Sequence, residues 1–207
     1  MHYLRDADAI YRESFAAIGR EVDLSRFAPE ARPLVTRLVH ACGMPEIVGD
    51  LVIAAGAVAA GRAALTGGAP VICDTLMLAQ GIVRDRLPAQ SAVLCGLEHP
   101  AAAGLARQLG TTRSAAGIEC LADRLAGAVV AIGNAPTALF RLLELLDEGW
   151  SPPALILGFP VGFVGAAESK AALAADPRDV PFVTLNGRRG GSAMAAAAVN
   201  ALAGPSL

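Results

Sequence analysis

Lysine is almost absent from this chain of 207 residues: Lys170 is the single lysine among 17 basic residues, and the others are arginine. Charged residues make up only 17% of the chain, and the net charge of −2 provides no broad basic field for nucleic acid. Codon bias is the simplest explanation for most of the arginines. A guanidinium group also pairs with a carboxylate through two hydrogen bonds, so a partner rich in carboxylates would suit this composition.

The four cysteines form no CxxC pair, and none has a histidine at the spacing of a zinc site. Each of them lies in an apolar stretch. We therefore expect four buried free thiols, no metal ligands, and a reducing, cytoplasmic location. The cysteines are Cys42, Cys73, Cys95 and Cys120.

Long apolar runs are missing too, since the most apolar window, residues 51–61, spans only eleven residues and is too short to cross a bilayer. The charged amino terminus lacks the apolar core of a signal peptide. We therefore expect no membrane insertion and no export by such a signal. With 54% hydrophobic residues the chain can bury a sizeable core, and its length fits one domain.

Short nucleotide and hydrolase motifs are also absent. The glycines at 158, 162 and 165 do not match GxGxxG, and Ser169 and Lys170 have the wrong order and spacing for a P-loop. There is no GxSxG and no HExxH. Nucleotide binding is therefore not supported by any specific motif.

The most regular part of the chain alternates twice between an apolar run and a helical pattern. Residues 129–132 and 154–157 are predicted strands, each followed by a turn rich in glycine and proline. Helices are predicted next, at residues 137–148 and 166–175. Strands that alternate with helices pair in parallel, because a parallel partner needs a long crossover.

Similar apolar runs elsewhere extend this pattern to five strands, while the stretch 47–53 is ambiguous. The predicted fold class is therefore α/β, with a mostly parallel sheet of about five strands and helices on both faces of a single domain. The predicted strands are residues 69–73, 92–97, 128–132, 154–157 and 180–185.

Two helices precede this core. Asp6 is placed to cap the first, and the second runs from about residue 29 to residue 41 before Gly43 ends it. His40 lies in the last turn of the second helix, on the same face as Arg37. The helix dipole favours a cationic histidine there, which would poise it for proton transfer near neutral pH. His40 is the best candidate for proton chemistry, although a helix histidine is more often a core or surface residue.

Several loops have the composition of an anion site, with simple tight turns as the alternative. Small residues at 133–136 and 158–165 would let a ligand approach the backbone. Residues 111–114 and 187–191 contain arginine at a helix start, where free N–H groups attract an anion. For residues 111–114 the alternative is a capping turn with an exposed arginine. Asp74 follows a predicted strand, where a functional carboxylate would stand. We interpret it instead as the cap of the helix that comes directly after it, residues 75–82.

Five segments are more specific than these patterns. They are RLVHACGMPE, TTRSAAGIE, VVAIGNAPTAL, GFPVGFVGAAESK and GRRGGSAMAAAAVNAL. Together they resemble the precorrin-8X methylmutase family of cobalamin biosynthesis, over residues 6–203. The resemblance implies an isomerase that moves a methyl group between adjacent carbons of pyrrole ring C, giving hydrogenobyrinic acid, with no cofactor and no metal. It also implies an α/β homodimer with the site near the subunit interface.

The resemblance implies roles for individual residues. The histidine of the VHACG motif, here His40, would donate and accept the proton in a sigmatropic methyl shift, through protonation or hydrogen bonding at the ring C nitrogen. Arg188 is added from the composition of its own loop, ahead of Arg189. The many acetate and propionate arms of the substrate would explain the arginines and the helix starts. The substrate contacts carried over from the family are Ser14, Arg37, Thr112, Arg113, Ser114 and Asn134.

The implied organisation is one domain over residues 1–207, with N-terminal helices at 6–43 and an α/β core at 47–203. The expected partner is a corrinoid or tetrapyrrole substrate, without nucleic acid or membrane, and channelling with neighbouring pathway enzymes is a further expectation. Two alternatives remain open. One is the same rearrangement on cobalt-precorrin-8, because the protein need not bind the metal. The other is a non-catalytic tetrapyrrole carrier, in which His40 would have no purpose.

Overall fold

A six-stranded sheet forms the centre of the computed structural model, which describes residues 1 and 3–204. All five predicted strands are present and pair in parallel, which confirms the predicted α/β class. The strands are β1 (Leu51–Ile53), β2 (Val71–Cys73), β3 (Val93–Cys95), β4 (Val129–Ile132), β5 (Leu155–Gly158) and β6 (Phe182–Leu185). Their order across the sheet is β1-β6-β5-β4-β2-β3.

The additional strand, β1, comes from the ambiguous stretch 47–53 and pairs antiparallel with β6. Leu51 lies opposite Leu185, the last residue of β6, so β1 begins at the edge of the sheet where the parallel strands end. Its three residues are too few for an alternating pattern to be visible in the sequence. Pairing with β6 adds backbone hydrogen bonds to the local preference of valine and isoleucine for strands.

Helices cover both faces of the sheet. They are α1 (Ala7–Glu21), α2 (Arg32–Cys42), α3 (Ala57–Thr66), α4 (Leu76–Gly81), α5 (Ala102–Leu109), α6 (Arg113–Glu119), α7 (Pro136–Asp147), α8 (Ala166–Ala175) and α9 (Ser192–Ala203). Among the described residues, no helix is both long enough and apolar enough to span a bilayer.

Neighbouring strand residues face two separate cores, because side chains alternate across a sheet. Val129 belongs to the core beneath α1, α2, α3, α4 and α9. Val130, the next residue, belongs to the core beneath α6, α7 and α8. The central strands are therefore buried on both sides, which explains why they are continuous apolar runs in the sequence.

The predicted ends of the first two helices are confirmed. The Asp6 carboxylate accepts the backbone N–H of Ala9 at 2.6 Å and caps α1. Gly43 ends α2 with φ of 66°, a left-handed conformation that favours glycine. This glycine turns the chain away immediately after the last turn of α2, where His40 lies.

All four cysteines are free thiols, as predicted. The expectation that all four are buried was wrong for Cys42 and Cys120, which are only half-buried. Both lie at helix ends, where an apolar stretch of sequence reaches the surface of the fold.

Candidate functional site

Residues predicted for the site reach the edge of the sheet where the parallel strands end. Asn134 follows β4, and Arg188 follows β6. The end of α2 also approaches this edge, because a short 3₁₀ segment, Pro45–Gly49, joins it to the start of β1. His40, in the last turn of α2, is therefore carried to the same edge. Ligands of open α/β sheets bind at this kind of edge.

His40 is held by side chains of α1. Its Nδ1 lies 2.8 Å from the Oγ of Ser14. Its ring packs edge-to-face on Phe15, with 5.3 Å between centroids, and lies 5.4 Å from the ring of Tyr11. The side chain remains half-buried. Because Ser14 engages Nδ1, Nε2 is the ring nitrogen left for a ligand.

Arg37 lies beside the same aromatic rings and is only 8% exposed. Its guanidinium carbon is 5.8 Å from the ring centroid of Tyr11 and 5.5 Å from that of Phe15. Its Nε is buried with no hydrogen-bond partner among the described residues. The charge is therefore held against aromatic faces, and one of its N–H donors remains unpaired inside the fold.

The electrostatics of His40 differ from the expectation based on the helix dipole. Burial lowers the pKa of His40 below its ordinary value, and the positive charge of Arg37 lowers the pKa further. These effects outweigh the stabilisation of a cation at the end of α2. The surroundings of His40 therefore favour its neutral form, which can donate a hydrogen bond without carrying a charge.

Replacing Arg37 with glutamine should raise the pKa of His40 towards its ordinary value, because one of the two causes of its depression is removed. NMR titration of the imidazole carbon and nitrogen signals in the free protein measures this change. Arg20→Gln, at an exposed position of α1, is the matched control and should leave the titration unchanged. An unaltered titration midpoint of His40 in the Arg37 variant would contradict the electrostatic effect assigned to Arg37.

Thr112 caps the N-terminus of α6, as the capping alternative for residues 111–114 predicted. The hydroxyl of Thr112 accepts the backbone N–H of Ala115 at 3.2 Å and lies 2.7 Å from the hydroxyl of Thr137. Arg113 is exposed and donates to the carbonyl of Leu97 at 3.4 Å, close to the limit of a hydrogen bond. Most of the donors of Arg113 are therefore available to a ligand.

Six of the predicted site residues form two groups on opposite faces of the sheet. Ser14, Arg37 and His40 lie on α1 and α2, whereas 112–114 lie at the start of α6, with Ser114 half-buried. Within the part of the chain that the structure describes, no hydrogen bond or ion pair joins the two groups. The fold brings the members of each group together, but not the two groups.

Asp74 binds the loop after β4 instead of capping a helix. Its Oδ1 accepts the N–H of Gly133 at 2.9 Å, and its Oδ2 accepts those of Asn134 at 2.9 Å and Ala135 at 2.7 Å. The prediction that Asp74 caps the helix next to it was wrong, since Thr75 caps α4. The sequence could not show this contact, because the partners are about sixty positions away.

This internal carboxylate occupies the donors that residues 133–136 would have offered to an anionic ligand. Asp74 is 1% exposed, so the contact is sealed from solvent. Burial raises the pKa of the Asp74 carboxyl, and the three N–H donors counteract part of that effect. The loop is therefore not an open anion site. The exposed side chain of Asn134 is the part that can reach a substrate.

The two arginines after β6 are used differently. Arg189 pairs with Glu46 at 3.0 Å and with Asp50 at 3.4 Å, so its charge is engaged within the protein. Arg188 is exposed, and its guanidinium carbon lies 5.3 Å from the ring centroid of Phe163. This geometry leaves Arg188, the predicted substrate contact, available to a ligand.

Lys170 was not predicted as part of the site. It is fully buried on α8, and its Nζ donates to the backbone carbonyl of Arg189. Burial lowers the pKa of Lys170 to about 8, and Asp50 partly offsets that effect. The only feature of the sequence that set this residue apart is that it is the single lysine of the chain. The sequence of a short helix does not show which of its side chains are buried.

Two cavities of the single chain lie elsewhere. One of about 420 Å³ lies beside β1 and the start of α3, and another of about 400 Å³ lies between α1 and the start of α2. Neither is lined by His40, Arg113, Asn134 or Arg188. Across residues 1 and 3–204, no three His, Cys, Asp or Glu side chains are grouped so that they could hold a metal ion.

Known proteins resemble this chain over nearly its whole length. The family model described as precorrin-8X methylmutase matches residues 9–204. Precorrin-8X methylmutase of Pseudomonas aeruginosa is 59% identical over 201 residues, which are 97% of each chain. Cobalt-precorrin-8 methylmutase of Priestia megaterium is 36% identical, over 92% of this chain and 84% of the relative. The crystal structure of precorrin-8x methyl mutase from Thermus thermophilus has a TM-score of 0.85 at 38% identity and covers 95% of both chains. This chain therefore belongs to the precorrin-8X methylmutase family.

Proposed function

We propose that this chain converts precorrin-8X into hydrogenobyrinic acid, with His40 as the catalytic residue. Its family makes it an isomerase of cobalamin biosynthesis that moves a methyl group within its substrate. The observation that carries the assignment of His40 is its contact with Ser14 beside the guanidinium of Arg37. This contact leaves Nε2 free at the ligand-binding edge of the sheet.

The reaction neither adds nor removes atoms. The bond between the methyl group and one ring C carbon breaks as the bond to the adjacent carbon forms, in a sigmatropic shift. A hydrogen bond from Nε2–H of His40 to the ring C nitrogen would draw electron density from the ring and ease this migration. Assistance of this kind is typically worth ~10²–10⁴ in rate. Binding one tautomer of the substrate away from water supplies the rest.

A neutral imidazole favours hydrogen bonding over full protonation as the role of His40. Burial and Arg37 both lower the pKa of His40, which disfavours the imidazolium form that full protonation of the substrate would need. In this proposal the Ser14 hydroxyl donates to Nδ1, 2.8 Å away, so that the hydrogen of the imidazole lies on Nε2. In this proposal Ser14 orients His40, which differs from the substrate contact that the family resemblance implied.

The acidic arms of the substrate would bind to three arginines at this edge. Arg113 and Arg188 are exposed, and Arg37 has an unpaired Nε. A guanidinium group matches a carboxylate in shape and charge, and it stays protonated at all working pH values. We assign Thr112, Ser114 and Asn134 as neutral hydrogen-bonding partners of the same arms.

A homodimer would bring the two groups of residues to one ligand. They lie on opposite faces of the sheet, and the two cavities described above enclose neither group. An apolar tip in the loop after β5 supports an interface, since Phe163 is 84% exposed and Val164 88% exposed. The mass of the protein in solution tests this proposal, and a mass of one chain would contradict it.

Precorrin-8X without metal is the substrate we propose over cobalt-precorrin-8. The relative named for the metal-free substrate is 59% identical, whereas the relative named for the cobalt form is 36% identical. The four free thiols support a reducing, cytoplasmic location. Channelling with neighbouring pathway enzymes stays a prediction.

Incubation of the purified protein with precorrin-8X tests this function directly. The absorption spectrum should change to that of hydrogenobyrinic acid at catalytic protein concentrations. A parallel incubation with cobalt-precorrin-8 should proceed more slowly, and the opposite preference would overturn the choice of substrate. Tight product binding without turnover of either compound would identify a carrier instead.

Replacing Arg113 with alanine should weaken binding of the product by roughly 1–3 kcal/mol, because a charge-assisted hydrogen bond to a carboxylate is lost. Titration with hydrogenobyrinic acid, followed by absorption, measures this change. Arg124→Ala removes another exposed arginine, in the 3₁₀ segment Ala122–Arg124 that precedes β4, and is the matched control. If both variants bind like the parent protein, Arg113 belongs only to the capping turn of α6.

A further inference from the structure

Residues 186–191 form a loop, here called the arginine loop, that is fastened to its neighbours mainly through the backbone. The carbonyl of Arg188 accepts the N–H of Gly162 at 3.1 Å, and the N–H of Gly191 donates to the carbonyl of Phe159 at 2.8 Å. A Cβ at Gly190 would collide with the carbonyl oxygen of Phe159, so only glycine fits there. These contacts fix the backbone of the loop at Arg188 and at its C-terminal end.

The side chain of Lys170 also binds the backbone of the arginine loop, at Arg189. Lys170 reaches it from α8, where the lysine is fully buried, and its Nζ donates to the carbonyl of Arg189. A buried ammonium group is costly unless it is bonded, and an apolar side chain could fill the same space without that cost. The ammonium group at this position therefore directs a charge-assisted hydrogen bond at one backbone carbonyl, which an apolar side chain could not do.

The charges around Lys170 are arranged to hold the two arginines apart. Asp50 is near enough to favour the charged form of Lys170, and it also binds the side chain of Arg189 together with Glu46. The side chain of Arg189 is therefore held against the protein by these two carboxylates. Arg188, the preceding residue, is left facing solvent over Phe163.

We infer that Lys170 is a positioning residue for substrate binding, because its ammonium group fixes the Arg189 carbonyl and so aims Arg188 at a substrate carboxylate. The inference rests on the proposed function, in which Arg188 binds an acidic arm of the macrocycle. Lys170 itself does not touch the substrate in this arrangement. It acts on affinity only through the direction of Arg188.

A double-mutant cycle with Lys170→Met and Arg188→Ala tests this coupling, using the affinity for hydrogenobyrinic acid as the readout. Arg188→Ala alone should weaken binding by about tenfold or more. In the Lys170→Met background the same change should weaken binding by less than about twofold, since Arg188 is already misdirected. Arg113→Ala is the control, because it lies on α6 and should keep its full effect in both backgrounds.

Two results would overturn the inference. If Arg188→Ala weakens binding by the same factor in both backgrounds, Lys170 has only a structural role. The proposed catalysis by His40 then stands. If Arg188→Ala has no effect in the parent protein, Lys170 has nothing to aim, and Arg188 also leaves the proposed site. Failure of the parent protein to convert precorrin-8X is a separate result that concerns the proposed function.

A second measurement applies if Lys170→Met does not fold. Burial lowers the pKa of Lys170 to about 8, so raising the pH through 8 should remove its charge and weaken product binding in the parent protein. Arg188→Ala should show no such loss. Cys42 also faces Arg189 and Glu46, so the titration is repeated in Cys42→Ala, where the loss must persist. The same pH dependence in Arg188→Ala would overturn the inference.

Discussion

Replacement of His40 by alanine is expected to abolish measurable turnover of precorrin-8X while leaving binding of the macrocycle largely intact. The imidazole is the only group in the proposed mechanism that acts on the ring C nitrogen, and such assistance is typically worth ~10²–10⁴ in rate. The affinity for the many acidic arms resides in the arginines, which this change does not touch. Absorption spectra after mixing report both quantities, because binding and conversion each change the colour.

His99→Ala is the matched control for that experiment. His99 ends a short 3₁₀ segment, and its Nδ1 accepts the N–H of Ala101 at 3.3 Å, so it has a local structural role. Turnover should survive this change. Ser14→Ala should lower the rate less than His40→Ala, since the imidazole remains but loses its fixed orientation. Unchanged turnover in His40→Ala would remove the catalytic role assigned to this residue.

Replacement of Asp74 by alanine is expected to lower the free energy of unfolding by about 3 kcal/mol or more. Three backbone N–H groups of the loop after β4 would lose their acceptor, and each donor left unpaired in the interior costs roughly 1–3 kcal/mol. Removing a buried carboxylate offsets part of this cost. Product binding should weaken as well, because the same loop positions Asn134.

Chemical unfolding followed by circular dichroism measures the effect of Asp74→Ala. Asp123→Ala, at an exposed position in the 3₁₀ segment after α6, should stay within about 0.5 kcal/mol of the parent protein. Asp74→Asn should also destabilise the protein. Its side chain keeps one acceptor oxygen, and its NH₂ group would face backbone N–H groups that also need an acceptor. A loss no larger than that of the Asp123 variant would show that the loop after β4 does not depend on this carboxylate.

Local patterns were sufficient for the elements that fill the core. Strands β4 and β5 are buried on both faces, so they are continuous apolar runs between glycine-rich turns, and helix patterns follow each of them. Asp6 and Gly43 mark helix ends because capping depends on one or two nearby residues. By contrast, β1 has only three residues, and the strand that pairs with it, β6, lies far along the chain.

The residues of the candidate site were proposed mostly from family resemblance, and the contacts between them could not be predicted from the sequence. No spacing rule links Ser14 with His40, which are 26 positions apart on different helices. The depressed pKa of His40 also depends on burial, which the helix-dipole argument ignored. Asp74 and Lys170 were misassigned or missed for the same reason, since each binds backbone groups that only the folded chain brings near.

Tertiary contacts also separate the two groups of candidate site residues within one chain. Placement of 112–114 and His40 on opposite faces follows from the crossovers of the sheet, which local sequence does not determine. The apolar tip around Phe163 lies on the loop that contacts the arginine loop. A dimer that buries this tip would therefore also restrain Arg188.

A crystal structure of the protein with bound hydrogenobyrinic acid tests the central claim most directly. The account predicts Nε2 of His40 within about 3.2 Å of the ring C nitrogen, with Nδ1 still bonded to Ser14 and arginines on the acidic arms. A macrocycle bound with that nitrogen well beyond hydrogen-bonding distance of His40 would contradict it.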